Sequence, residues 1–246
     1  MAASIKHILF DLGGTLMHAR GDWNPIHAQA DQALVNKLQA CDLQISAEQF
    51  RQRLHEYYHQ RDKDLQETTY HFVLRELLKE LSDAEAAESD IRSALDAMYT
   101  ITQTNWQLES DTLETLRQLQ SSQYKVGIFS NAGDDKDVQE LIEGFGVRSY
   151  FDFVLTSAAC FYRKPHPRAF EIALAQWNID PQEAVMVGDS LEADIFGAKR
   201  LGMKAVWITR RAVFKEEDMR RIQPDFNIRK LTELLPTLER MSISHI

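Results

Sequence analysis

The chain of 246 residues, with 44 % hydrophobic and 26 % charged residues, is long enough for one large domain or for a core with a smaller inserted domain. Its formal net charge of −9 disfavours a nucleic-acid partner, because an acidic surface repels the phosphate backbone. No stretch approaches the roughly 18 apolar residues of a membrane span, and two widely separated cysteines and the lack of a signal-peptide pattern predict a cytoplasmic protein with no membrane partner.

Five short apolar runs are predicted to be buried strands of a parallel sheet. Each is apolar on both faces and is followed by polar or glycine residues, and helical patterns separate several of them. This alternation of strand and helix predicts an α/β fold with a doubly wound parallel sheet. The runs comprise residues 8–10, 125–129, 153–155, 184–187 and 205–208, with an edge strand expected at 224–228 and a final helix at 231–238.

A long segment between the first two strands contains no convincing strand and is rich in Ala, Leu, Gln, Glu and Arg. Its apolar residues recur at the spacing of a helix face, which predicts several amphipathic helices. Because the residues suited to chemistry lie on both sides of this segment, we expect a separate helical cap. We assign residues 21–102 to that cap and residues 1–20 and 103–246 to the core.

Polar side chains follow three of the predicted strands. Asp11 follows the first strand, Ser130 and Asn131 follow the second, and Asp189 follows the fourth, with Asp194 five residues later. In an open parallel sheet, ligands bind beyond the carboxyl ends of the strands. Each of these residues alone has an ordinary structural explanation as a turn or a helix cap. Their order along the chain, each at a strand end or beside one, favours a functional site.

The predicted site combines three carboxylates with one ammonium group. Carboxylates that converge raise one another's pKa unless a cation compensates them. Oxygen ligands without His or Cys favour a hard cation, and Mg²⁺ is expected where the substrate is a phosphate. Lys164, in a loop before a predicted helix, would supply a fixed positive charge. Ser130 would donate a hydrogen bond to a phosphoryl oxygen.

The order and spacing of these residues resemble the motifs of the haloacid dehalogenase-like hydrolase superfamily. The sequence Asp-Leu-Gly-Gly-Thr-Leu at 11–16 is similar to its first motif, and Ser130 with Asn131 to its second. Lys164 is similar to the third motif, and Gly-Asp-Ser at 188–190 with Asp194 to the fourth. The resemblance covers about residues 5–20 and 108–235, and it indicates the subfamily whose cap lies between the first two motifs.

The resemblance implies a Rossmann-like core and a Mg²⁺-dependent phosphatase of small phosphorylated metabolites. Asp11 would attack phosphorus and form an aspartyl-phosphate. Lys164 would act in catalysis and, with Ser130 and Asn131, in substrate binding. The resemblance also implies a metal-ligand set, which comprises the side chain of Asp11, the backbone carbonyl of Gly13, Asp189, and Asp194 directly or through water.

The first motif departs from the superfamily pattern at Gly13. Typical phosphatases of the superfamily have a second aspartate at this position, which protonates the leaving group and then activates water. Glycine can do neither, although its backbone carbonyl is retained for the metal. Losing a general acid or base costs roughly 10²- to 10⁴-fold in rate. If only this group is missing, Gly13→Asp should raise the turnover of an aryl phosphate.

Three interpretations of Gly13 remain open. In the first, the protein is a slow phosphatase or acts on good leaving groups such as acyl or aryl phosphates, or His18, Asp22 or His27 replaces the acid. In the second, it hydrolyses 2-haloacids, or phosphonates by means of a cap lysine. In the third, it is a non-catalytic relative that binds phosphate or a partner. We rank the phosphatase first, because binding alone does not explain an intact residue set. The candidate cap lysines are Lys37, Lys63 and Lys79.

Overall fold

A six-stranded parallel sheet forms the centre of the molecule, in a computed structural model that describes residues 5–81 and 86–243. The spatial order of its strands is β5-β4-β1-β6-β7-β8. All five predicted apolar runs and the predicted edge strand lie in this sheet, which confirms the α/β fold class. The strands are β1 (His7–Phe10), β4 (Lys125–Ser130), β5 (Phe153–Thr156), β6 (Ala184–Gly188), β7 (Lys204–Ile208) and β8 (Phe226–Ile228).

Strand β1 lies between β4 and β6, so three segments with polar ends are neighbours in the sheet. Phe10 is in register with Ile128 of β4 and with Val187 of β6. Alternate residues of β1 point to opposite faces. Ile8 and Phe10 pack into one hydrophobic cluster, and Leu9 packs into a second. Both faces of the sheet are therefore covered, which explains why the strands are continuously apolar.

Helices flank the sheet and also form a segment of their own. Helix α8 begins at Pro167, a residue suited to the first turn of a helix. The described helices are α1 (Trp23–Gln39), α2 (Ala47–Asp64), α3 (Tyr70–Leu81), α4 (Glu88–Gln103), α5 (Thr112–Ser121), α6 (Asp135–Gly144), α7 (Ser157–Cys160), α8 (Pro167–Ala175), α9 (Gly197–Arg200), α10 (Glu216–Arg221) and α11 (Leu234–Ile243). A short π-helical turn, Leu191–Phe196, precedes α9.

Among the described residues, helices α1 to α4 follow one another with no strand between them, and they share a hydrophobic cluster separate from the two clusters of the sheet. The centre of this cluster includes Leu34, Phe50, Leu74 and Leu95, each fully buried. We refer to residues 23–103 as the helical segment. The assignment of residues 21–102 to a cap stays a prediction. Our domain assignments also include residues 1–4, 82–85 and 244–246, which lie outside the described residues.

A two-stranded antiparallel ribbon joins the helical segment to the sheet. It pairs β2 (Met17–Ala19) with β3 (Trp106–Leu108), so Ala19 lies opposite Trp106. Sequence analysis did not predict this ribbon, because three residues are too few to establish a strand periodicity. The chain enters the helical segment after β2 and leaves it before β3. Within the described residues, no helix has the length and apolar character needed to cross a bilayer.

Candidate active site

The carboxyl edge of the sheet brings the three predicted carboxylates together. Asp11 follows β1 and Asp189 follows β6, while Asp194 lies in the π-helical turn that comes next. One carboxylate oxygen from each residue can be chosen so that all three lie within 4.8 Å of one another. Residues separated by as many as 183 positions (194 − 11) therefore form one acidic cluster. An oxygen-only set of this kind suits a hard divalent cation.

Two glycines, which have no side chain, make room for two of these carboxylates. A Cβ atom at Gly14 would collide with the carboxylate of Asp189, and one at Gly188 would collide with Asp194. Gly14 also has a φ of 81°, a conformation that favours glycine. Gly14 of the first motif and Gly188 of the fourth are thus explained by the close approach of the acids, in addition to the turn after each strand.

Lys164 places a buried ammonium group between two of the acids. Its Nζ lies 2.7 Å from Asp11 Oδ1, 2.7 Å from Asp194 Oδ1 and 2.8 Å from the carbonyl oxygen of Phe129, to which it donates. Burial alone would lower the pKa of Lys164, but the charges of Asp11 and Asp194 outweigh it and raise the pKa above its usual value. The lysine is therefore held charged: it donates to Asp11 Oδ1 and to the Phe129 carbonyl, and it forms an ion pair with Asp194.

The acidic cluster remains strained electrostatically despite this lysine. Burial, and then the charges of Asp11 and Asp194, raise the pKa of Asp189 to about 7. Burial also raises the pKa of Asp194 to about 6, against the opposing effect of Lys164. One ammonium does not balance three clustered carboxylates. A bound divalent cation would supply the missing positive charge, so the donor set fits Mg²⁺.

In the second predicted motif, Ser130 lines the site and Asn131 holds the loop that carries Lys164. Ser130 is the last residue of β4, is buried, and lines the same cavity as Asp11. The side chain of Asn131 accepts from the Lys164 N–H at 2.8 Å and donates to the Lys164 carbonyl at 3.0 Å. Its amide therefore positions the lysine loop. Substrate binding by Ser130 and Asn131 stays a prediction. Because the side-chain amide of Asn131 is bonded to Lys164, Asn131 would bind the substrate through its backbone.

All seven predicted site residues line one cavity of about 400 Å³, a volume suited to a small ligand. The helical segment and the ribbon supply its opposite wall through Tyr70, Tyr99 and Trp106. Of these three aromatic residues, Tyr99 and Trp106 were not predicted at the site. The seven predicted residues are Asp11, Gly13, Ser130, Asn131, Lys164, Asp189 and Asp194.

The candidate replacements for the missing acid lie away from this cavity lining. His18 Nδ1 is 3.0 Å from a carboxylate oxygen of Glu109, and Asp22 caps helix α1 by accepting from the Asn24 N–H. His27 lines an adjoining cavity of about 220 Å³ and stacks on Trp23. The candidate Schiff-base lysines, Lys37, Lys63 and Lys79, are all exposed on helices of the helical segment and are absent from the cavity's described lining.

Glu67 is a buried charged residue that sequence analysis missed. It lies between α2 and α3, and its carboxylate accepts from Ser157 Oγ and from Arg163 Nη1, each at 2.5 Å. Ser157 Oγ in turn accepts from the N–H of Ala132, which follows the second motif. Arg163 precedes Lys164. No local pattern marks Glu67, because its partners are 90 and 96 residues away in sequence.

Curated proteins similar to this chain include phosphatases. A glyceraldehyde 3-phosphate phosphatase of Pyrococcus furiosus is 36 % identical over 128 residues, which cover 52 % of each chain. A phosphoserine phosphatase of Thermus thermophilus is 34 % identical over 109 residues, covering 44 % of this chain and 42 % of that protein. The chain spans about half the length of the curated relatives it matches.

Solved structures match over nearly the whole length. A phosphatase from Thermococcus onnurineus has a TM-score of 0.62 at 28 % identity, covering 95 % of this chain and 98 % of that one. A 2-haloacid dehalogenase from Pseudomonas syringae has a TM-score of 0.70 at 26 % identity, covering 96 % and 99 %. A family profile described as haloacid dehalogenase-like hydrolase matches residues 30–208. The chain belongs to the haloacid dehalogenase-like hydrolase family.

Proposed function

We propose that this protein is a Mg²⁺-dependent phosphatase of small phosphorylated metabolites, in which Asp11 is the nucleophile. The observation that carries the proposal is the position of Lys164, whose Nζ lies 2.7 Å from both Asp11 and Asp194 inside the cavity. An ammonium at this place neutralises a phosphoryl group and holds the attacking carboxylate in position. The named phosphatases among the relatives support the same reaction class.

The side chains of Asp11, Asp189 and Asp194, with the backbone carbonyl of Gly13, would hold Mg²⁺. The bound ion would supply charge neutralisation for the phosphoryl group. The fit rests on an oxygen-only donor set in which three carboxylates lie together with one ammonium group. A hard cation with these ligands is expected to be Mg²⁺ where a phosphate is bound.

Four residues of the cavity have defined tasks in the proposed reaction. The Asp11 carboxylate forms a bond to phosphorus while the ester oxygen departs, and water then cleaves the aspartyl-phosphate. Lys164 holds the carboxylate of Asp11 in place and binds a phosphoryl oxygen. Ser130 donates a hydrogen bond to another phosphoryl oxygen. Asn131 fixes the lysine loop through two hydrogen bonds to the backbone of Lys164.

The helical segment would act as the cap that selects the substrate. Its Tyr70 and Tyr99 line the cavity opposite the acidic cluster. The N–H of Tyr70 donates to the carbonyl of Gly133 at 3.1 Å, so the segment rests directly on the loop after the second motif. Closure of such a wall over the site excludes water from the reacting groups.

A substrate screen tests the proposed function. Phosphate esters, acyl phosphates, phosphonates and 2-haloacids would each be tested with Mg²⁺ and with a chelator. We expect phosphate release that requires the metal and is lost in Asp11→Asn. Binding of inorganic phosphate without turnover of any compound would instead favour a non-catalytic relative.

Hydrolysis of 2-haloacids is the second candidate. The structural match to a 2-haloacid dehalogenase favours it. Trp106, whose ring lies beside Gly13, also favours it. Dehalogenating members of the superfamily carry an aromatic residue in place of the second aspartate of the first motif, which is the position of Gly13. Asp11 would then attack carbon and displace halide. Halide release that persists with the chelator would establish this reaction in place of the phosphatase.

A further inference from the structure

Gly13 faces an aromatic ring. A Cβ atom at position 13 would lie 3.2 Å from Trp106 Cη2 and 3.7 Å from Trp106 Cζ3. In contrast with Gly14, Gly13 is not in the left-handed region, so its backbone conformation does not require glycine. The indole of Trp106 therefore lies in tight contact with the place that a side chain at position 13 would take.

The position of this indole is fixed from two sides. Trp106 belongs to the ribbon, where it lies opposite Ala19. Its ring also makes an edge contact with Trp23 of helix α1, with 5.1 Å between ring centroids. Trp23 stacks in turn on His27. Because backbone pairing and an aromatic stack both hold Trp106, a new side chain at Gly13 would have to displace a supported group.

The remaining carboxylates of the cavity are already engaged by the helical segment. Within the described lining, Asp134 and Asp137 are the acids outside the metal cluster. Arg92 Nη1 donates to Asp134 Oδ2 at 2.6 Å, and Gln103 Nε2 donates to Asp137 Oδ1 at 2.9 Å. The surface next to Gly13 is thus the apolar ring of Trp106.

On the basis of the proposed phosphatase function, we propose that Trp106 is a specificity-determining residue that selects aryl phosphates. An apolar aromatic surface packs well against a flat aromatic leaving group. The ring carbons of Trp106 that face Gly13 carry no acidic proton, so a leaving oxygen packed against them would depart as an anion. An aryl oxide is stable enough to do so, whereas an alkyl oxide needs a general acid. Gly13 and Trp106 together thereby exclude alkyl phosphates from efficient turnover.

The proposed reaction balances without an added proton donor. A carboxylate oxygen of Asp11 forms the new bond to phosphorus, and the bond from phosphorus to the aryl oxygen breaks. That oxygen keeps the electron pair and leaves as an aryl oxide. Water then attacks the aspartyl-phosphate, which restores the Asp11 carboxylate and gives dihydrogen phosphate that carries both protons of the water.

The test compares 4-nitrophenyl phosphate with phenyl phosphate, whose leaving group is the more basic. In the unaltered protein with Mg²⁺, kcat/KM is expected to be about 10²- to 10⁴-fold lower for phenyl phosphate, the range that a missing general acid implies. Gly13→Asp alone should keep this difference, because Trp106 obstructs the new carboxylate. Gly13→Asp combined with Trp106→Leu should reduce it towards one.

A binding measurement gives a second readout that does not depend on turnover. Phenylphosphonate is expected to bind about tenfold more tightly than methylphosphonate, and Trp106→Leu should remove this preference. Trp177→Leu is the matched control, since Trp177 packs on Phe153 at the far end of the sheet. Trp106→Phe, a smaller change to the fold, should retain part of the preference if Trp106→Leu proves unstable.

The outcomes separate this proposal from the proposed function. If no ester releases phosphate, or if release survives Asp11→Asn, the phosphatase itself is wrong. If release depends on Asp11 but is equal for the two esters, only the role of Trp106 is wrong, and Asp137→Asn would then show whether Asp137 supplies the proton. Loss of the difference in Gly13→Asp alone would also overturn the role of Trp106.

Discussion

The carboxyl edge of the sheet and the helical segment build the same cavity in different ways. At the sheet edge, Asp11, Lys164 and Asp194 are buried and linked by charge contacts of 2.7 Å. The helical segment has its own hydrophobic cluster and reaches the core through polar bridges. These bridges join Glu67 to Arg163, Arg92 to Asp134 and Gln103 to Asp137.

This difference indicates that the sheet edge determines the chemistry and that the helical segment determines substrate binding. The reactive groups are fixed by neighbouring parallel strands, whose spacing and direction do not depend on the helical segment. Tyr70 and Tyr99 of the aromatic wall belong to the helical segment, which has its own hydrophobic cluster and contacts the core through a few side chains and backbone hydrogen bonds. We therefore expect changes at the sheet edge to alter chemistry, and changes at the bridges to alter substrate binding and local stability.

The largest expected effect is that of Asp11→Asn. Asn cannot act as the nucleophile, so we expect metal-dependent turnover to fall on the order of 10⁴-fold or more. Steady-state kinetics with the best substrate of the screen would measure this loss. Asp42→Asn, the same change at an exposed residue, is the control and should leave turnover unchanged. Equal activity in both variants would contradict the role of the sheet edge.

Lys164→Met should affect both turnover and stability. Removing the ammonium leaves Asp11 and Asp194 without their buried partner, which is expected to cost about 3–5 kcal/mol in unfolding free energy at pH 8 without metal. Turnover should fall roughly 10²- to 10³-fold. Urea unfolding and kinetics would measure the two effects. The control is Lys37→Met, at an exposed position of α1, which should change neither the stability nor the turnover. A Lys164→Met protein as stable as the unaltered one would show that Asp11 and Asp194 do not need the charge of Lys164.

Asp189→Asn should stabilise the metal-free protein at high pH. Burial and the neighbouring acids raise the pKa of Asp189 to about 7, above its value in the unfolded chain. Its ionisation therefore opposes folding, and the stability of the unaltered protein should fall as pH rises from about 4 to 7. Asn does not ionise, so the variant should be about 1–3 kcal/mol more stable at pH 8.

Thermal unfolding at several pH values, with and without Mg²⁺, would measure this change. The unaltered protein should gain stability from Mg²⁺, whereas Asp189→Asn should gain little because a ligand is lost. If the variant were less stable than the unaltered protein at pH 8 without metal, the acidic cluster would not be a source of repulsion.

Glu67→Gln tests the bridge between the helical segment and the core. Gln leaves Arg163 without its carboxylate, so we expect a loss of about 1–3 kcal/mol in stability and a several-fold rise in KM, with kcat changed less. The control is Glu80→Gln, which alters an ion pair with Arg53 on the surface. That change should cost less than about 1 kcal/mol. Equal effects would mean that the bridge has no special role.

Much of the fold was predicted because its signals are local. A buried strand of four to six apolar residues can be recognised in the sequence, and so can an acid placed directly after it, as for Asp11 and Asp189. Predicting that such residues meet required only the rule that parallel strands share a carboxyl edge. The ribbon β2–β3 was missed, because its strands have three residues each and are paired across 87 positions (106 − 19).

The sequence by itself determined the six strands of the sheet, the acids and lysine of the site, and the absence of a side chain at Gly13. Only the tertiary structure decided what fills the space beside Gly13 and which groups face the acidic cluster. Trp106 and Glu67 meet partners about 90 residues away in sequence. Such contacts depend on how segments far apart in the sequence are placed together in the fold, and no local periodicity or motif encodes that placement.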